Sequence, residues 1–449
     1  EPWLKPHVEG WLDNFKIRLS AGSMGNGNVD PYSYTSEMTV ATASDIVLGG
    51  GLPSYTTVGS TVPVSLTWEK STTYDLGLDL DFLNNRLSFS GDYYRRYTTD
   101  MYTPSISLPS VYGTTSPKGN NAELRTTGWE LSLTWRDSFK LGGKPFDYSI
   151  KAMVWDNRTV VTKYENATRS LGTLKGYIQN GGSPSDFYEG MALGEMWGYT
   201  VAGLFRDQAD IDSSATHDFT QASDKVTRPG QVKIADLDHN GNIDPGAFTA
   251  DDHGDLSIIG NINPHYMFGV NLAANWNGIG LSVFLQGVMK RDWYPSPDSG
   301  YFWGKYARPF MWVLGIHNYT DDMYSEEKNN WDTAYWPRMT TYQSNSSYSW
   351  TKLLEIPNTR YKQSAAYLRV KNIQVDYTFP KALCQKIRLG GLKIYLSGEN
   401  LFTFTPLHKY APNFDPEALG YDTDFSSTAG DGYTYPVLKS VTLGVNITF

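Results

Sequence analysis

Residues 74–93 read YDLGLDLDFLNNRLSFSGDY. In the first half of this stretch apolar side chains occupy every second position, and Asp75, Asp79 and Asp81 fall on the opposite face. This period of two predicts a β-strand, and residues 83–85 supply a turn into a second strand. Three carboxylates inside a soluble β-sandwich would each cost roughly several kcal/mol unless paired, whereas they cost little beside water. The stretch is therefore typical of a membrane β-barrel, with apolar residues outward and polar residues toward the lumen.

The same alternation recurs along the chain. It is clear between Trp129 and Trp135, where a tryptophan at each end suits the two interfaces of a bilayer. It continues on both sides of Asn277-Gly278, a dipeptide that strongly favours a hairpin. It returns in residues 440–449, SVTLGVNITF, where Phe449 is suited to a membrane boundary. We count roughly ten strands of about 9–11 residues or slightly more, which is the length that crosses a bilayer.

The connections between these strands alternate in length. Short connections on one side and long ones on the other are typical of outer-membrane barrels, which have short periplasmic turns and long extracellular loops. Structureless loops of such length would count against a compact soluble domain. The expected short turns are 83–85, 137–145, 277–279 and 380–390, and the expected long loops are near 24–70, 99–121, 158–263, 291–362 and 403–436.

Composition narrows the class further. The 449 residues include 14% aromatic residues and 42 Gly, a mixture that suits strands, girdles and turns. The mean hydropathy is −0.42 and the sequence contains no stretch of about 18 apolar residues, which excludes a helical membrane protein. The net charge of −9 argues against a nucleic-acid partner. Cys384 is the only cysteine, which rules out a disulfide framework within the chain and predicts a buried, inert thiol.

Five short segments carry a further signal. They are LSAGSMGN at 19–26, LTWEKSTT at 66–73, FLNNRLS at 82–88, YLRVKNI at 367–373 and SGENLFTF at 397–404. Together, and in this order, they resemble successive motifs of the SusC-like TonB-dependent transporters of Bacteroidetes. The resemblance extends over nearly the whole chain, from near residue 11 to Phe449.

This resemblance implies a roughly 22-stranded barrel whose lumen holds an N-terminal plug. It also implies that TonB acts through the plug, and that a SusD-like surface lipoprotein closes over the barrel as a lid in the bacterial outer membrane. Residues 1–449 would be the C-terminal part of that barrel, with about ten strands, and would lack the plug and the early strands. Because Glu1 does not open a signal peptide, we expect the N-terminal portion of an exported protein to be missing.

The sharpest site motif reads DLDHNGNID. Its oxygen-bearing side chains at positions 1, 3, 5 and 9, with glycine at position 6, match the first nine positions of a calcium-binding loop. The predicted Ca²⁺ ligands are Asp236, Asp238, Asn240, Asp244 and the backbone carbonyl of Asn242. Closely spaced carboxylates repel one another unless a hard cation lies among them, so we expect a structural Ca²⁺ ion that stiffens a long loop.

The closing ligand of this loop is displaced. Position 12 should be acidic but is Ala247. In the resembling family an acid closes the motif just before Ile-Ile-Gly-Asn, which here assigns Asp255 as the closing ligand and 245–252 as an insertion. The alternative is a turn rich in Asp, Asn and Gly that binds no metal.

Residues 293–361 are rich in aromatic side chains. Such rings stack on sugar faces or hold peptide side chains, so the loop is a candidate contact surface for substrate or for the lid. The alternative is that the rings pack into a small core of the loop itself. The candidate contact residues are Trp293, Tyr301, Trp303, Tyr306, Trp312, Trp331 and Trp336, with Trp303 and Trp312 as the strongest candidates.

No catalytic motif is apparent in the sequence. The seven histidines are scattered, and HExxH and G-x-S-x-G are both missing, so we do not expect an enzyme. We expect TonB-dependent import of an oligosaccharide or oligopeptide across the outer membrane. Two alternatives stay open at this point: a passive or structural outer-membrane barrel in a larger surface complex, and a secreted all-β protein that binds or cleaves glycans.

Overall fold

The computed structural model describes residues 10–27, 35, 38–58, 66–104, 118–173, 176–177, 182–217, 226–295, 299–303, 322–338, 356–419 and 437–449. Within these ranges the main feature is a ten-stranded antiparallel sheet whose neighbouring strands follow chain order. The strands are β1 (Leu12–Asn26), β2 (Glu69–Phe82), β3 (Leu87–Pro104), β4 (Lys118–Leu141), β5 (Lys144–Lys163), β6 (His265–Trp276), β7 (Ile279–Lys290), β8 (Tyr367–Thr378), β9 (Gly391–Phe404) and β10 (Ser440–Thr448). The predicted all-β antiparallel architecture is confirmed, and the number of strands agrees with the expectation.

Tight turns join strand pairs at one end of the sheet. Leu83, Asn84 and Asn85 all have positive φ, between 57° and 60°, a conformation that Asn tolerates better than most residues. Asn277 and Gly278 have φ values of 48° and 89°, as a type I′ hairpin requires. These local turns fix the registers of the strands that they join.

Two other predicted turns differ from expectation. The connection expected at 137–145 shrinks to residues 142–143, because β4 and β5 extend further than their apolar pattern indicated. The connection at 380–390 contains a helix, Lys381–Lys386. This helix buries Cys384, which is only 1% exposed, so the prediction of a buried thiol is confirmed.

One face of the sheet is apolar and exposed. Leu19, Leu76, Leu131 and Leu443 are 79%, 50%, 40% and 73% exposed. Residues directly opposite each other in an antiparallel pair share a face, so these side chains and their partners form a continuous apolar band. A surface of this extent would promote aggregation in water, and it is what a membrane barrel presents to lipid.

The other face of the sheet is polar and carries its own ion pairs. The Arg18 guanidinium on β1 lies 2.8 Å from a carboxylate oxygen of Asp79 on β2 and 2.8 Å from one of Asp92 on β3. Ser90 also donates a hydrogen bond to Asp79. Asp75, Asp79 and Asp81 share this face, opposite the leucines of the same strand, as the sequence predicted.

The sheet is open in this chain. Among the described strands, β1 pairs only with β2, and β10 pairs only with β9. Ten strands therefore form a section of wall with two unpaired edges, which are templates for further strands.

At the other end of the sheet, long connections pack into a hydrophobic core, which we call the extramembrane core. Short strand pairs in the connections are Met38–Thr42 with Ser54–Val58, Glu195–Tyr199 with Leu256–Asn261, Val201–Leu204 with Val232–Ile234, Thr216–His217 with Asn242–Ile243, and Asp292–Trp293 with Gln363–Ser364. Short helices there are Gln208–Asp212, Gly300–Trp303 and the 3₁₀ turn Pro406–Lys409. None of the helices in the described ranges has the length and apolar character needed to cross a membrane.

A lipid-facing apolar band makes a clear prediction at Leu78, which shares a face with Leu76, while Asp79 lies on the polar face. Replacing Leu78 by Arg is expected to destabilise the membrane-inserted full-length protein by about 2–4 kcal/mol if the site is at the bilayer midplane. In a Cys384→Ser background, Leu78→Cys is expected to resist a membrane-impermeant thiol reagent and Asp79→Cys to react. Equal labelling at the two positions would contradict the membrane topology.

Candidate functional site

The acidic loop lies in the extramembrane core, between the strands Val232–Ile234 and Leu256–Asn261. Ile234, Ile243 and Leu256 are almost fully buried and hold its start, middle and end in place. The loop therefore has fixed anchor points on each side of its polar residues.

Three carboxylates of this loop converge. One oxygen from each of Asp236, Asp238 and Asp255 lies within 4.8 Å of the others. Asp255 is fully buried, Asp236 is half-buried and Asp238 is exposed, so the cluster opens toward solvent on one side. The structure thus brings the predicted closing residue next to the first two predicted ligands, despite the ten-residue gap that the sequence puts between Asp244 and Asp255.

Backbone donors brace the buried carboxylate. The amides of Leu237 and Asp244 donate hydrogen bonds of 2.6 and 3.0 Å to the two oxygens of Asp255. Burial raises the pKa of Asp255, and the charges of Asp238 and Asp236 raise it further, against the opposing effect of these hydrogen bonds. The part of this rise in pKa that comes from Asp238 and Asp236 is a repulsion that a cation among the three carboxylates would relieve.

Asp236 carries the observation that favours a cation. Its Oδ2 accepts a hydrogen bond from the amide of Gly241, at 3.0 Å. Its Oδ1 is buried, and no donor in the described part of the chain reaches it. A buried carboxylate oxygen without a donor is costly, and a hard cation supplies the missing partner.

The other polar residues of the motif hydrogen-bond within the loop. Asp244 accepts a 2.7 Å hydrogen bond from Gly246 and a 3.4 Å contact from the Asn240 amide. Asn240 in turn bonds to Asp238 and accepts from the Asn242 amide at 2.7 Å. These bonds fold the loop locally, and of the four predicted carboxylate ligands Asp236, Asp238 and Asp255 converge while Asp244 is not among them.

Aromatic residues in the described parts of 293–361 form the centre of the extramembrane core. Trp303 packs edge-to-face against Phe302, Trp336 and Tyr361, with ring centroids 4.8, 6.1 and 5.5 Å apart. Trp293 meets Phe302 at 6.0 Å. Such pairs contribute beyond their buried area, so the cluster is a strong packing unit.

This packing determines how exposed the predicted contact residues are. Trp293, Trp303 and Trp336 are at most 1% exposed, so in this structure they offer no ring face to a ligand. Trp331 is half-buried at the edge of the same core. Tyr306 and Trp312 lie outside the described residues, as does the side chain of Tyr301. The burial agrees with the alternative of a self-packed loop, and a contact between the 293–361 region and substrate or lid stays a prediction.

Sequence reasoning missed a buried ion network at the base of this core. Arg369 on β8 is 2% exposed, and its guanidinium lies 2.5 Å from Asp415 and 2.7 Å from Glu417. Lys371 and the Tyr367 hydroxyl also reach Glu417, at 2.7 and 2.8 Å. The network fastens the connection after β9 to the polar face of the sheet. Tyr367, Arg369 and Lys371 belong to the YLRVKNI segment, whose alternation was the only advance signal.

An open antiparallel wall with an apolar outer face, an ion-paired inner face and one large extramembrane core defines a section of a membrane β-barrel. Residues 10–228 match the family described as TonB dependent receptor-like, beta-barrel. These residues therefore form a TonB-dependent receptor β-barrel domain, and the resemblance seen in the sequence is confirmed.

Relatives extend the likeness to almost the whole chain. TonB-dependent receptor P3 of Formosa agariphila is 26% identical over 98% of this chain and 40% of its own length. TonB-dependent receptor SusC of Bacteroides thetaiotaomicron is 27% identical over 52% of this chain and 22% of its own length. The chain thus spans about 40% of the length of the Formosa relatives that it matches.

Solved structures share the fold at lower identity. The RagAB peptide transporter matches 99% of this chain and 42% of its own, with a TM-score of 0.64 and 18% identity. The RagAB peptide importer in its closed-closed state gives a TM-score of 0.65 and 19% identity. This likeness concerns the fold alone.

Proposed function

We propose that this chain is part of the wall of an outer-membrane importer that takes up an oligosaccharide or an oligopeptide with energy relayed by TonB. The observation that carries the proposal is the two-faced sheet: an exposed apolar face for lipid and an ion-paired polar face for a water-filled lumen. The similarity to TonB-dependent receptors supports active import over passive diffusion. The two unpaired edges would be joined by the remaining strands of the same protein, whose plug would contact TonB.

Uptake in cells tests this proposal. Deleting the full-length gene is expected to abolish uptake of one member of a panel of labelled oligosaccharides and oligopeptides, and restoring the gene is expected to recover it. Loss of the same uptake when the proton gradient is collapsed would separate TonB-driven import from a passive pore. Uptake that survives deletion for every member of the panel would contradict the importer function.

We also propose that a SusD-like lipoprotein covers the extramembrane core. The proposal is supported by the similarity to SusC and by the shared fold of the RagAB peptide transporter. Deleting the whole of 293–361 would remove buried rings and would unfold the core, so a finer deletion is needed. Removing residues 340–354 spares Trp293, Trp303 and Trp336. We expect weaker co-purification of the lipoprotein or weaker uptake, and unchanged values for both would show that residues 340–354 contact neither substrate nor lid.

The acidic loop is proposed to bind a structural Ca²⁺ ion. Asp236, Asp238 and Asp255 would supply carboxylate oxygens, and Asp244 and Asn240 would need only small side-chain movements to join them. The donor set is all oxygen, which suits Ca²⁺, and the partnerless Oδ1 of Asp236 supports the fit. The ion would stiffen the link between two buried strand pairs, so its role would be stability rather than catalysis.

If the acidic loop binds Ca²⁺, neutralising one of its converging carboxylates should lower the affinity for the ion. Asp238→Asn is expected to weaken Ca²⁺ binding to the full-length protein by about tenfold or more, measured by titration calorimetry, because ligand charge sets the affinity of such loops. Asp212→Asn is the matched control: its carboxylate is exposed at the end of the short helix Gln208–Asp212, bonded to Gln208. Wild-type protein that binds no Ca²⁺, with identical hydrogen exchange in EDTA and in Ca²⁺, would favour the metal-free turn.

A further inference from the structure

Three arginines lie side by side on the outward face of the sheet. Arg95 on β3 is directly opposite Thr127 on β4, and Thr127 is directly opposite Arg158 on β5. Arg125 lies two residues along β4 from Thr127, so it points to the same face. All three side chains are exposed, and we call the group the arginine cluster.

The spacing within the arginine cluster suits phosphate. Arg125 is a diagonal neighbour of both other arginines, at about 7–8 Å between Cα atoms. Arg95 and Arg158 are two strand spacings apart, or roughly 10 Å. Guanidinium groups on long side chains at these distances can converge on one or two phosphate groups, which they bind with paired, charge-assisted hydrogen bonds.

The cluster lacks a compensating negative charge. Within the described ranges, no carboxylate lies within 4.0 Å of Arg95, Arg125 or Arg158. Two acids lie two residues from the cluster along its strands. Asp156, beside Arg158, is half-buried and is held by His265 at 2.8 Å, and Glu123, beside Arg125, lies 3.8 Å from Lys163. Like charges this close repel one another, so an anion bound among them would be stabilising.

The cluster sits where the lipid-facing band ends. On β4 this band runs from Phe139 to Trp129, ten residues that rise about 26 Å at a strand tilt of ~40°, which is close to the height of an outer-membrane apolar band. Arg125 is four residues beyond Trp129, or about 10 Å higher by the same geometry. Thr127, which lies between Arg95 and Arg158, is about 5 Å higher than Trp129, and the strand tilt puts these two arginines about 3 Å above and below Thr127. Arg95 also donates a 3.3 Å hydrogen bond to the hydroxyl of Tyr93, an aromatic residue of the girdle. This depth is that of lipid headgroups on the side of the long connections.

We propose that the arginine cluster binds a phosphorylated headgroup of a lipid in the outer leaflet. The proposal rests on the proposed function, because it requires the sheet to be embedded in a membrane. A lipid is favoured over free phosphate because acyl chains on the apolar band directly below would hold the headgroup phosphate at this depth. The cluster faces away from the lumen, which separates it from the path of an imported substrate.

The test uses the full-length transporter in detergent micelles, with diphosphoryl lipid A and enzymatically dephosphorylated lipid A as probes, detected by native mass spectrometry. The variant is Arg95→Gln/Arg125→Gln/Arg158→Gln. The matched control, Lys16→Gln/Arg96→Gln/Lys151→Gln, removes three charges from the opposite face of the same sheet. The phosphorylated probe is expected to bind wild type and control alike and to bind the variant about tenfold more weakly or worse, whereas the dephosphorylated probe should not distinguish the three proteins.

The results of this test distinguish a failure of the lipid-binding proposal from a failure of the proposed importer function. Equal binding of both probes to wild-type protein that inserts into membranes and imports its substrate would overturn the cluster assignment alone. Competition by inorganic phosphate at concentrations matching those of lipid A would indicate a free-phosphate site and would overturn the lipid assignment. Failure of the full-length protein to insert at all would instead reject the importer.

Discussion

Replacing Arg369 by Ala is expected to release residues 406–419 from the sheet and to lower the free energy that holds this connection closed by about 3–5 kcal/mol. The guanidinium is buried and holds Asp415 and Glu417 at once, so its removal leaves the buried Asp415 without a counter-charge and leaves Glu417 with Lys371 alone. The free energy of local opening can be measured by hydrogen exchange on peptides that cover 406–419 in the full-length protein.

Lys393→Ala is the matched control for this prediction. Lys393 on β9 pairs with Asp376 at 3.0 Å, but its side chain is 37% exposed, so the loss should be a few tenths of a kcal/mol to about 1 kcal/mol. Unchanged exchange in Arg369→Ala would show that the connection is held by its apolar contacts, such as those of buried Leu407, rather than by the ion network.

The same ion network predicts that the hydrogen-exchange protection of residues 406–419 decreases at low pH. Burial alone would raise the pKa of Asp415, but hydrogen bonds from the Glu417 amide and the Arg369 guanidinium outweigh it, so the pKa of this carboxyl is lowered. A lowered carboxyl pKa stabilises the folded state above the unfolded pKa, near ~3.9, and this stability is lost as pH falls through the folded value. Protection of 406–419 should therefore persist down to about pH 4 and decline below it.

The strands could be read from the sequence because their signal is local. Alternation of period two depends only on neighbouring residues, and turns such as Asn277-Gly278 have their own backbone preference. The strand ends were less predictable. β4 continues to Leu141 and β5 starts at Lys144, and the polar residues near these ends are held in the strands by pairing with the partner strand, which local alternation does not reveal. The helix at 380–390 was missed for the related reason that six residues are too few to show a helical period.

The site was only partly predictable, because its contacts join distant residues. Arg369 and Asp415 are 46 positions apart, and no spacing rule links them. Asp255 was assigned from a family resemblance, and only the fold shows its carboxylate beside Asp236. The arginine cluster likewise needs the register of three strands before three scattered arginines become neighbours.

The aromatic loop shows why composition alone could not decide between a binding surface and a core. Tryptophan and tyrosine serve both roles, since they combine large apolar area with a polar group. In the structure Trp293, Trp303 and Trp336 are buried, with Trp303 completely enclosed, whereas Tyr306 and Trp312 lie outside the described residues. Removing a buried ring by mutation should therefore destabilise the core that it packs.

Replacing Trp303 by Ala is expected to destabilise the extramembrane core by about 3–5 kcal/mol, because it removes a fully buried indole and leaves a cavity among Phe302, Trp336 and Tyr361. Hydrogen exchange of peptides around 293–303 and 356–366 in the full-length protein would measure the loss. The heat-modifiable gel mobility that reports a folded barrel should be unchanged, since Trp303 does not belong to the ten-stranded sheet.

Trp331→Ala is the matched control, because Trp331 lies half-buried at the edge of the same core and should cost clearly less. Different measurements then distinguish a packing role of Trp303 from a role in contacting substrate or lid. A packing residue changes exchange in the core first, and changes uptake or lid retention only as a consequence. If Trp303→Ala instead impaired substrate uptake or lid co-purification while the core kept its wild-type protection, Trp303 would have to turn outward in the working transporter, and the self-packed arrangement would be only one of its states.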